Sequence, residues 1–563
     1  MESTKHYQAW LAYDGLDEDY RKELIGISQE EITDRFFAPL SFGTAGLRGT
    51  MGAGINRMNK YTVSQATAGL ASALLSLGGD IPSRGVVITH DCRNNSDKFA
   101  AIAADILSAA GIEVYITDGM RPTPLLSSTI LRLNAAAGIN ITASHNPKEY
   151  NGYKVYWDDG AQISGEIAEL VSEHISKTEI FSSAICTPDP SKIHLLGRDN
   201  DEAFFEACLS QRVDTETAAR SGLKIVFTPF HGTGAAFIPE ALRRCGFENI
   251  YCVEQQMIPD GNFSTVASPN PENTESFAMA IELAKKVGAD VIIGSDPDAD
   301  RIGMLSPDGK GGYVSISGNQ VGVLLADYLI TSRRRIGVLP AKSAIVSSIV
   351  STKMTAALAK ANGLSYGESF TGFRFIAEIM TELEQEGCTC LMGFEESYGY
   401  LIGGHCRDKD AVTAAILISE MASVLHEDGR TVSDRLEELY KEYGCFYEKT
   451  INLIMPGIDG IAMRKSTMEG MRNAPPLSIG GIPVEAVRDY SDGSRRTASG
   501  VEKMKLSGSD VLIYDLADGS SFAIRPSGTE PKIKIYFLIL GSTMDECKAK
   551  CEAFSQYAQS IKS

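Results

Sequence analysis

The sequence predicts an α/β protein of several domains that ends in an α+β unit. At 563 residues the chain is too long for one hydrophobic core, and about 150 residues per domain suggests roughly four. Apolar, β-rich runs alternate with amphipathic helical patterns for most of its length. Over the last stretch the strands group together ahead of one helix.

In chain order, residues 61–77 carry a helical period and 85–91 read as a buried strand. A helix over 96–110 precedes strands at 112–118 and 136–142. The pattern returns as strand 223–228, helix 235–244, strand 249–254, helix 277–287 and strand 289–294. A third round has helices over 319–332, 343–361 and 374–386, strand 389–394 and helix 410–426. Strands at 511–515, 521–524 and 532–538 and a helix over 543–560 close the chain. Polar or Gly/Pro-containing stretches near 195–222, 307–318 and 445–456 mark the boundaries, giving domains 1–205, 206–318, 319–450 and 451–563.

Apolar content of 43% and charged content of 22% are ordinary for a globular protein. A net charge of −19 argues against nucleic-acid or anionic-membrane binding, which need a basic face. An anionic substrate would then need positive charge gathered locally. The 11 cysteines are scattered and form no zinc pattern, so reduced thiols in a cytoplasmic protein are expected. The N-terminus carries Glu2 and Lys5 without an apolar core, and no run of about 18 apolar residues occurs, so neither a signal peptide nor a membrane span is read.

Asp296-Pro-Asp298-Ala-Asp300-Arg301 follows the apolar run Val291-Ile-Ile-Gly294. Three carboxylates at alternate positions on a loop leaving a strand can converge on one hard cation, and would repel one another without it. A calcium loop needs Gly and Glu where Arg301 and Pro307 stand, which excludes it. A dehalogenase-type Asp-x-Asp nucleophile suits neither the third aspartate nor the arginine. A solvated acidic turn is the remaining alternative.

Gly138-Ile-Asn-Ile-Thr142-Ala-Ser144-His145-Asn146-Pro147 ends a strand in a polar turn that displays a hydroxyl beside His145. A serine needs a base or a metal to act as nucleophile. No Gly-x-Ser-x-Gly elbow is present, so acyl transfer is not indicated; alone, the segment also reads as a plain turn. Gly43-Thr-Ala-Gly-Leu-Arg48-Gly49 could bring backbone to an anion or be an ordinary loop. Gly393-Phe-Glu395-Glu-Ser397 pairs carboxylate and hydroxyl as vicinal sugar hydroxyls require, or caps its strand. Arg407-Asp-Lys409-Asp410 leads into a helix with Asp410 as N-cap, and Lys409 is a substrate contact or a surface charge. Arg525-Pro-Ser527-Gly528-Thr529 combines a guanidinium, hydroxyls and a freed backbone, which favours a phosphate cradle over a simple hairpin turn. His231 reads as a structural loop histidine.

Together and in this order these segments resemble the α-D-phosphohexomutase superfamily, over essentially the whole chain. Thr228-Pro-Phe-His-Gly-Thr-Gly234, Thr371-Gly-Phe-Arg374 and Phe394-Glu-Glu-Ser-Tyr-Gly399 look most like its phosphoglucomutase branch. The resemblance implies four domains around a central cleft: three related α/β units with mixed sheets, and a C-terminal α+β domain. It implies that Ser144 carries the phosphoryl group and, with Asp296, Asp298 and Asp300, binds Mg²⁺. Arg48, Lys154 and His145 join Ser144 as catalytic residues. Arg301, Thr371, Arg374, Glu395, Ser397, Lys409, Arg525, Ser527, Gly528 and Thr529 bind the substrate, with arginine at 374 where lysine is more usual in the family.

The implied activity interconverts glucose 1-phosphate and glucose 6-phosphate through phospho-Ser144 and a hexose 1,6-bisphosphate, which also serves as activator. The partner is thus a phosphorylated hexose, with no nucleic acid and no membrane; a homo-oligomer is compatible. Phosphomannomutase, phosphopentomutase and glucose-1,6-bisphosphate synthase activities are the alternatives within the family, because sugars epimeric at C2 share their O3 and O4 hydroxyls. A phosphatase, or a catalytically silent sugar-phosphate-binding protein, are the alternatives outside it.

Overall fold

A computed structural model describes residues 2–43, 46–455, 457–527 and 532–561. The chain forms two compact units, residues 1–317 with 398–431, and residues 318–397 with 432–563.

The first unit opens with helices Glu2–Ala12, Glu18–Leu24 and Gln29–Phe36, whose Trp10 and Phe36 pack with Tyr61 at the start of helix Lys60–Leu77. Its first sheet has the strand order Leu47–Thr50, Tyr150–Trp157, Ala137–Ile141, Val86–His90, Val114–Thr117, Ile193–Leu196. The last four run parallel, and Tyr150–Trp157 is antiparallel to both of its neighbours, so the sheet is mixed. Ala137–Ile141 is buried along its whole length, as a central strand covered by helices on both faces must be. Its second sheet orders Tyr313–Ile316, Ile302–Pro307, Val291–Ser295, Ile225–Thr228 and Ile250–Cys252, and is again mixed. Helix Ala411–Glu427 packs on helix Gly234–Arg244 and is buried nearly all round, which explains why its sequence is apolar on every face.

In the second unit strand Ser343–Ser348 runs parallel between Ser365–Ser369 and Thr389–Glu395. The helix expected over 343–361 is therefore wrong in its first part. Ser343-Ala-Ile-Val-Ser-Ser is buried throughout with the β-branched pair Ile345-Val346 at its centre, and the helix starts only at Met354, where Ala and Leu take over. The carboxy-terminal sheet is antiparallel, ordered Cys445–Ile454, Lys532–Gly541, Ser521–Pro526, Leu512–Leu516, Ile482–Asp489, Ser494–Thr497, Gly500–Lys503. Helix Met544–Ser560 covers it through Cys547, Cys551, Phe554 and Ala558. The polar stretches near 195–222, 307–318 and 445–456 are not bare linkers. They contain helix Arg198–Leu209, strand Tyr313–Ile316 and the long strand Cys445–Ile454.

That long strand carries Glu448, which lines a small cavity with Asn319, Thr352, Tyr440 and Phe446. Its Oε1 is buried without a hydrogen-bond partner, and burial pushes the carboxyl from 4.5 up to about 7. The folded chain thus holds this proton more tightly than the unfolded one. The associated stability is full below 4.5 and is lost as pH rises through about 7. Glu448→Gln should stabilise the protein by about 1–2 kcal/mol at pH 8 and change little at pH 5. Denaturant melts at the two pH values check this; equal shifts at both would refute it.

All eleven cysteines are free thiols. Among the described residues no helix is long and apolar enough to cross a membrane.

Candidate active site

Strand Ala137–Ile141 delivers the Thr142–Pro147 turn at the end of its sheet. Ser144 sits there with φ 51°, a left-handed conformation that a non-glycine residue holds only when its surroundings impose it. The surroundings are specific. The Ser144 N–H donates to Thr142 Oγ1 at 2.8 Å, and Thr142 donates in turn to Asp91 Oδ2 at 2.6 Å. Arg93, fully buried beside Asp91 and over the Phe263 ring, donates to the carbonyls of Ser144, Asn146, Pro147 and Tyr150. Four carbonyls bound to one rigid guanidinium clamp the whole turn.

Neither Asp91 nor Arg93 stands out in the sequence, where the only signal is an Asp-x-Arg directly after a strand. Arg93→Lys should lower kcat/KM by about 10²-fold, since one ammonium cannot span these acceptors and a displacement of about 1 Å at the nucleophile suffices. A wild-type rate in that variant would show that the clamp is dispensable.

The aspartate loop leaves strand Val291–Ser295 and returns through Ile302–Pro307. Two neighbours hold its backbone: Thr233 N–H donates to the Pro297 carbonyl and Thr123 N–H to that of Asp298, both at 2.8 Å. Gly232 lies so close that a Cβ would meet Pro297 Cα at 2.4 Å. The Thr228–Gly234 segment is thus a buttress for this loop. His231 in it is structural as expected, bonded to the Ile258 carbonyl and Thr265.

Asp296, Asp298 and Asp300 are buried and place carboxylate oxygens within 4.8 Å of one another. Asp296 Oδ1 accepts from the N–H groups of Asp300 and Arg301, and its Oδ2 accepts from Ser144 Oγ at 2.6 Å. Asp298 Oδ2 accepts from Thr123 and from Lys154 Nζ, each at 2.9 Å. Asp300 Oδ2 faces Lys154 Nζ at 3.5 Å and Lys409 Nζ at 3.2 Å. Asp298 Oδ1 and Asp300 Oδ1 are buried with no hydrogen-bond partner. Two orphaned carboxylate oxygens beside a third carboxylate and a serine oxygen form an all-oxygen donor set that fits a hard divalent cation.

Electrostatics follow from this crowding. Burial, and then the charges of Asp298 and Asp300, push Asp296 well above the usual carboxylate range; Asp300 is also raised by burial and by Asp298. Burial opposes ionisation of Asp298 too, but Lys154 and the hydrogen bonds around it outweigh that and hold it low. Lys154 is raised, because Asp298 and Asp300 overcome its burial. His145 Nδ1 lies 3.2 Å from Ser144 Oγ. Burial and the nearby Arg301 and Arg48 push its imidazole well below the ordinary value, so it is neutral at physiological pH.

Arg48 lies on strand Leu47–Thr50 opposite Gly152 and donates to Asn146 Oδ1 at 3.0 Å. Arg301 N–H bonds Asp296 while its guanidinium pairs with Glu272 at 2.9 Å, a partner the sequence did not suggest. Lys409 Nζ also pairs with Asp408 at 3.1 Å, and Asp408 is fixed by Tyr156 at 2.6 Å. Asp410 caps helix Ala411–Glu427 as expected. The first unit therefore brings together Ser144, His145, the three aspartates and the cations Arg48, Lys154, Arg301 and Lys409, of which Lys154, Lys409 and Arg301 are paired with carboxylates.

The other expected substrate residues lie in the second unit. Glu395 ends strand Thr389–Glu395 and is buried; Ser397 follows, half-buried. Between them Glu396 accepts from Ser348 Oγ at 3.0 Å. Its carboxyl is raised by burial and by Glu395 against the opposing charges of Lys534 and Arg525. Arg525 stands opposite Lys534 in the carboxy-terminal sheet, so the Glu395–Ser397 turn and the Arg525 strand share one charged neighbourhood. The roles of Glu396 and Lys534 were not visible in the sequence. Ser527 N–H closes the strand end on the Lys532 carbonyl at 2.9 Å, while Gly528 and Thr529 lie outside the described residues. Thr371 and Arg374 flank the start of helix Phe373–Gln385, with Arg374 over the Phe375 ring and paired with Glu378 at 2.8 Å.

Four family models match in order: phosphoglucomutase/phosphomannomutase alpha/beta/alpha domain I over residues 39–180, domain II over 202–309, domain III over 317–443 and the C-terminal domain over 484–537. A phosphoglucomutase of Staphylococcus aureus (strain bovine RF122 / ET3-1) is 37% identical over 577 residues, covering 99% of this chain and 98% of that one. A Thermus thermophilus protein assigned as a phosphomannomutase shares the fold with a TM-score of 0.70 at 23% identity, over 93% of this chain and 99% of its own. N-acetylphosphoglucosamine mutase of Aspergillus fumigatus, solved in complex with GlcNAc-6P and magnesium, matches over the full length of both chains with a TM-score of 0.51 at 13% identity. On the four models and the full-length relative, the chain belongs to the phosphoglucomutase/phosphomannomutase family of α-D-phosphohexomutases, enzymes of the isomerase class that transfer a phosphoryl group within a sugar phosphate.

Proposed function

We propose that the protein is a cytoplasmic phosphoglucomutase, interconverting glucose 1-phosphate and glucose 6-phosphate through phospho-Ser144 and a hexose 1,6-bisphosphate. One observation carries this reading: Ser144 Oγ lies 2.6 Å from Asp296 Oδ2, beside the two orphaned oxygens of Asp298 and Asp300. The full-length likeness to a phosphoglucomutase favours glucose as the sugar.

Asp296, Asp298, Asp300 and the seryl oxygen would hold Mg²⁺, the ion recorded with the Aspergillus fumigatus mutase, which supplies charge neutralisation at the phosphoryl group. Phosphoryl transfer depends on positioning and charge compensation more than on covalent assistance. Arg93 and Thr142 keep the Ser144 oxygen aimed. Arg48 and Lys154 compensate the charge that develops on the transferring oxygens, and Lys154 or the neutral His145 can hold or pass the proton of the reacting hydroxyl. Arg301 and Lys409 draw the phosphorylated sugar in.

To the second unit we assign recognition of the rest of the substrate. Glu395 and Ser397 bind the O3 and O4 hydroxyls, which exchange roles when the bisphosphate turns over. Arg525, Ser527, Gly528 and Thr529 hold the phosphate remote from transfer, and Thr371 and Arg374 complete the sugar site. We divide the chain for these roles into domains 1–205, 206–318, 319–450 and 451–563.

The deciding experiment is intact mass before and after incubation with glucose 1,6-bisphosphate, with peptide mapping. One added phosphate on the Ser144 peptide supports the cycle, and phosphate elsewhere or none refutes it. Relative rates on glucose 1-phosphate, mannose 1-phosphate and ribose 1-phosphate test the sugar; a preference for mannose or ribose would overturn that part alone.

A further inference from the structure

A second cluster of metal-binding donors lies in the first unit, outside the machinery assigned above. Cys208 on helix Arg198–Leu209, His405 on the loop after strand Gly399–Ile402 and Asp410 at the start of helix Ala411–Glu427 bring Sγ, Nε2 and Oδ2 within 4.8 Å of one another. Cys208 Sγ is 4.0 Å from His405 Nε2 and 3.7 Å from Asp410 Oδ2, and Nε2 is 2.8 Å from Oδ2. Donors about 2.0–2.3 Å from a tetrahedral zinc-class ion stand about 3.3–3.8 Å apart. The triangle is thus nearly of the right size: its His–Asp edge must open by roughly half an ångström and its Cys–His edge must close by about 0.2 Å.

Further observations favour an ion over a purely structural cap. Cys406 Sγ lies 3.8 Å from His405 Nε2 and 3.4 Å from the Asp408 carbonyl, to which it donates. His405, only 7% exposed, turns Nε2 toward Cys208, Asp410, Cys406 and Thr413. Asp410 is held in place, because its Oδ1 accepts from Val412 and Thr413 N–H, while its Oδ2 faces the histidine and also accepts from the Thr413 hydroxyl, a contact that an incoming ion would share or displace. Exposed Gly404, adjacent to His405, offers a path from solvent. The donor chemistry is also distinct from that of the aspartate loop. Thiolate and imidazole select zinc-class ions, whereas carboxylates alone suit Mg²⁺.

We propose that Cys208, His405 and Asp410 form a second metal site that takes a soft divalent cation of the zinc class, with the fourth position left to solvent. On binding, the Cys208 thiol proton leaves to solvent as the sulfur–metal bond forms. The ion would tie the 403–410 loop to helix Arg198–Leu209. That loop also carries Lys409, next to Asp410 in the chain.

Co²⁺ titrated into the Mg²⁺-loaded full chain tests this. The wild type should develop a thiolate charge-transfer band and tetrahedral visible absorption that saturate near one ion per chain. Cys208→Ser should lose the charge-transfer band and bind Co²⁺ at least about tenfold more weakly, with Mg²⁺-dependent turnover kept within about twofold. His405→Gln serves as the second variant should Cys208→Ser not fold. Absence of a thiolate band in the wild type overturns the proposal, as does a band of equal strength in the variants.

Discussion

Ser144→Ala should abolish mutase turnover, with kcat falling on the order of 10⁴–10⁶-fold, the scale seen when a covalent nucleophile is removed. Alanine keeps the backbone and the Arg93 clamp on the turn, so circular dichroism and the melting profile should stay close to wild type. The left-handed φ of 51° suits alanine slightly less than serine, a cost of about 1 kcal/mol at most. Loss of rate without loss of fold is therefore the signature. The intact mass should also stop responding to glucose 1,6-bisphosphate. Unchanged turnover in this variant would remove the phosphoserine mechanism outright.

Asp300→Asn should act on rate and stability in opposite directions. Losing one of three carboxylates from a hard-cation site removes several kcal/mol of charge stabilisation, so kcat/KM should fall about 10³-fold at saturating Mg²⁺. The metal-free protein, in contrast, should gain on the order of 1 kcal/mol, because one buried repulsive charge is gone. Both lysines keep a partner: Lys154 retains Asp298 at 2.9 Å and Lys409 retains Asp408 at 3.1 Å. Thermal melts with and without Mg²⁺ separate the two effects. Wild type should be raised by the ion, and the variant should start higher and respond less. A variant destabilised in the absence of Mg²⁺ would mean that Asp300 serves the fold rather than the ion.

Much of the site was legible because its chemistry is concentrated in short segments. Asp296, Asp298 and Asp300 announce themselves through spacing alone, and Asp410 through its place ahead of an apolar helix. The Ser144 turn and the Arg48 loop were weak in isolation and became specific only in combination. Arg93 escaped notice because its partners are backbone carbonyls, which any residue type provides. Glu272, Glu396 and Lys534 escaped for a related reason: a single charged residue on a strand or loop looks the same whether it meets solvent or a partner. The helix misread over 343–361 shows the limit of periodicity, since a short buried apolar run fits a strand and a helix equally well until β-branched content is weighed.

Local pattern along the chain was enough to establish alternating strands and helices, a distinct carboxy-terminal layer and the residue types of a cation site beside a hydroxyl. It could do so because side-chain periodicity and turn chemistry act over a few neighbouring residues. Tertiary packing decided that Ser144 and Asp296, 152 residues apart, meet within 2.6 Å, and that two aspartate oxygens remain unpartnered between Lys154 and Lys409. Such convergence depends on how two separately built sheets set their loop ends against each other, and no local spacing encodes that arrangement.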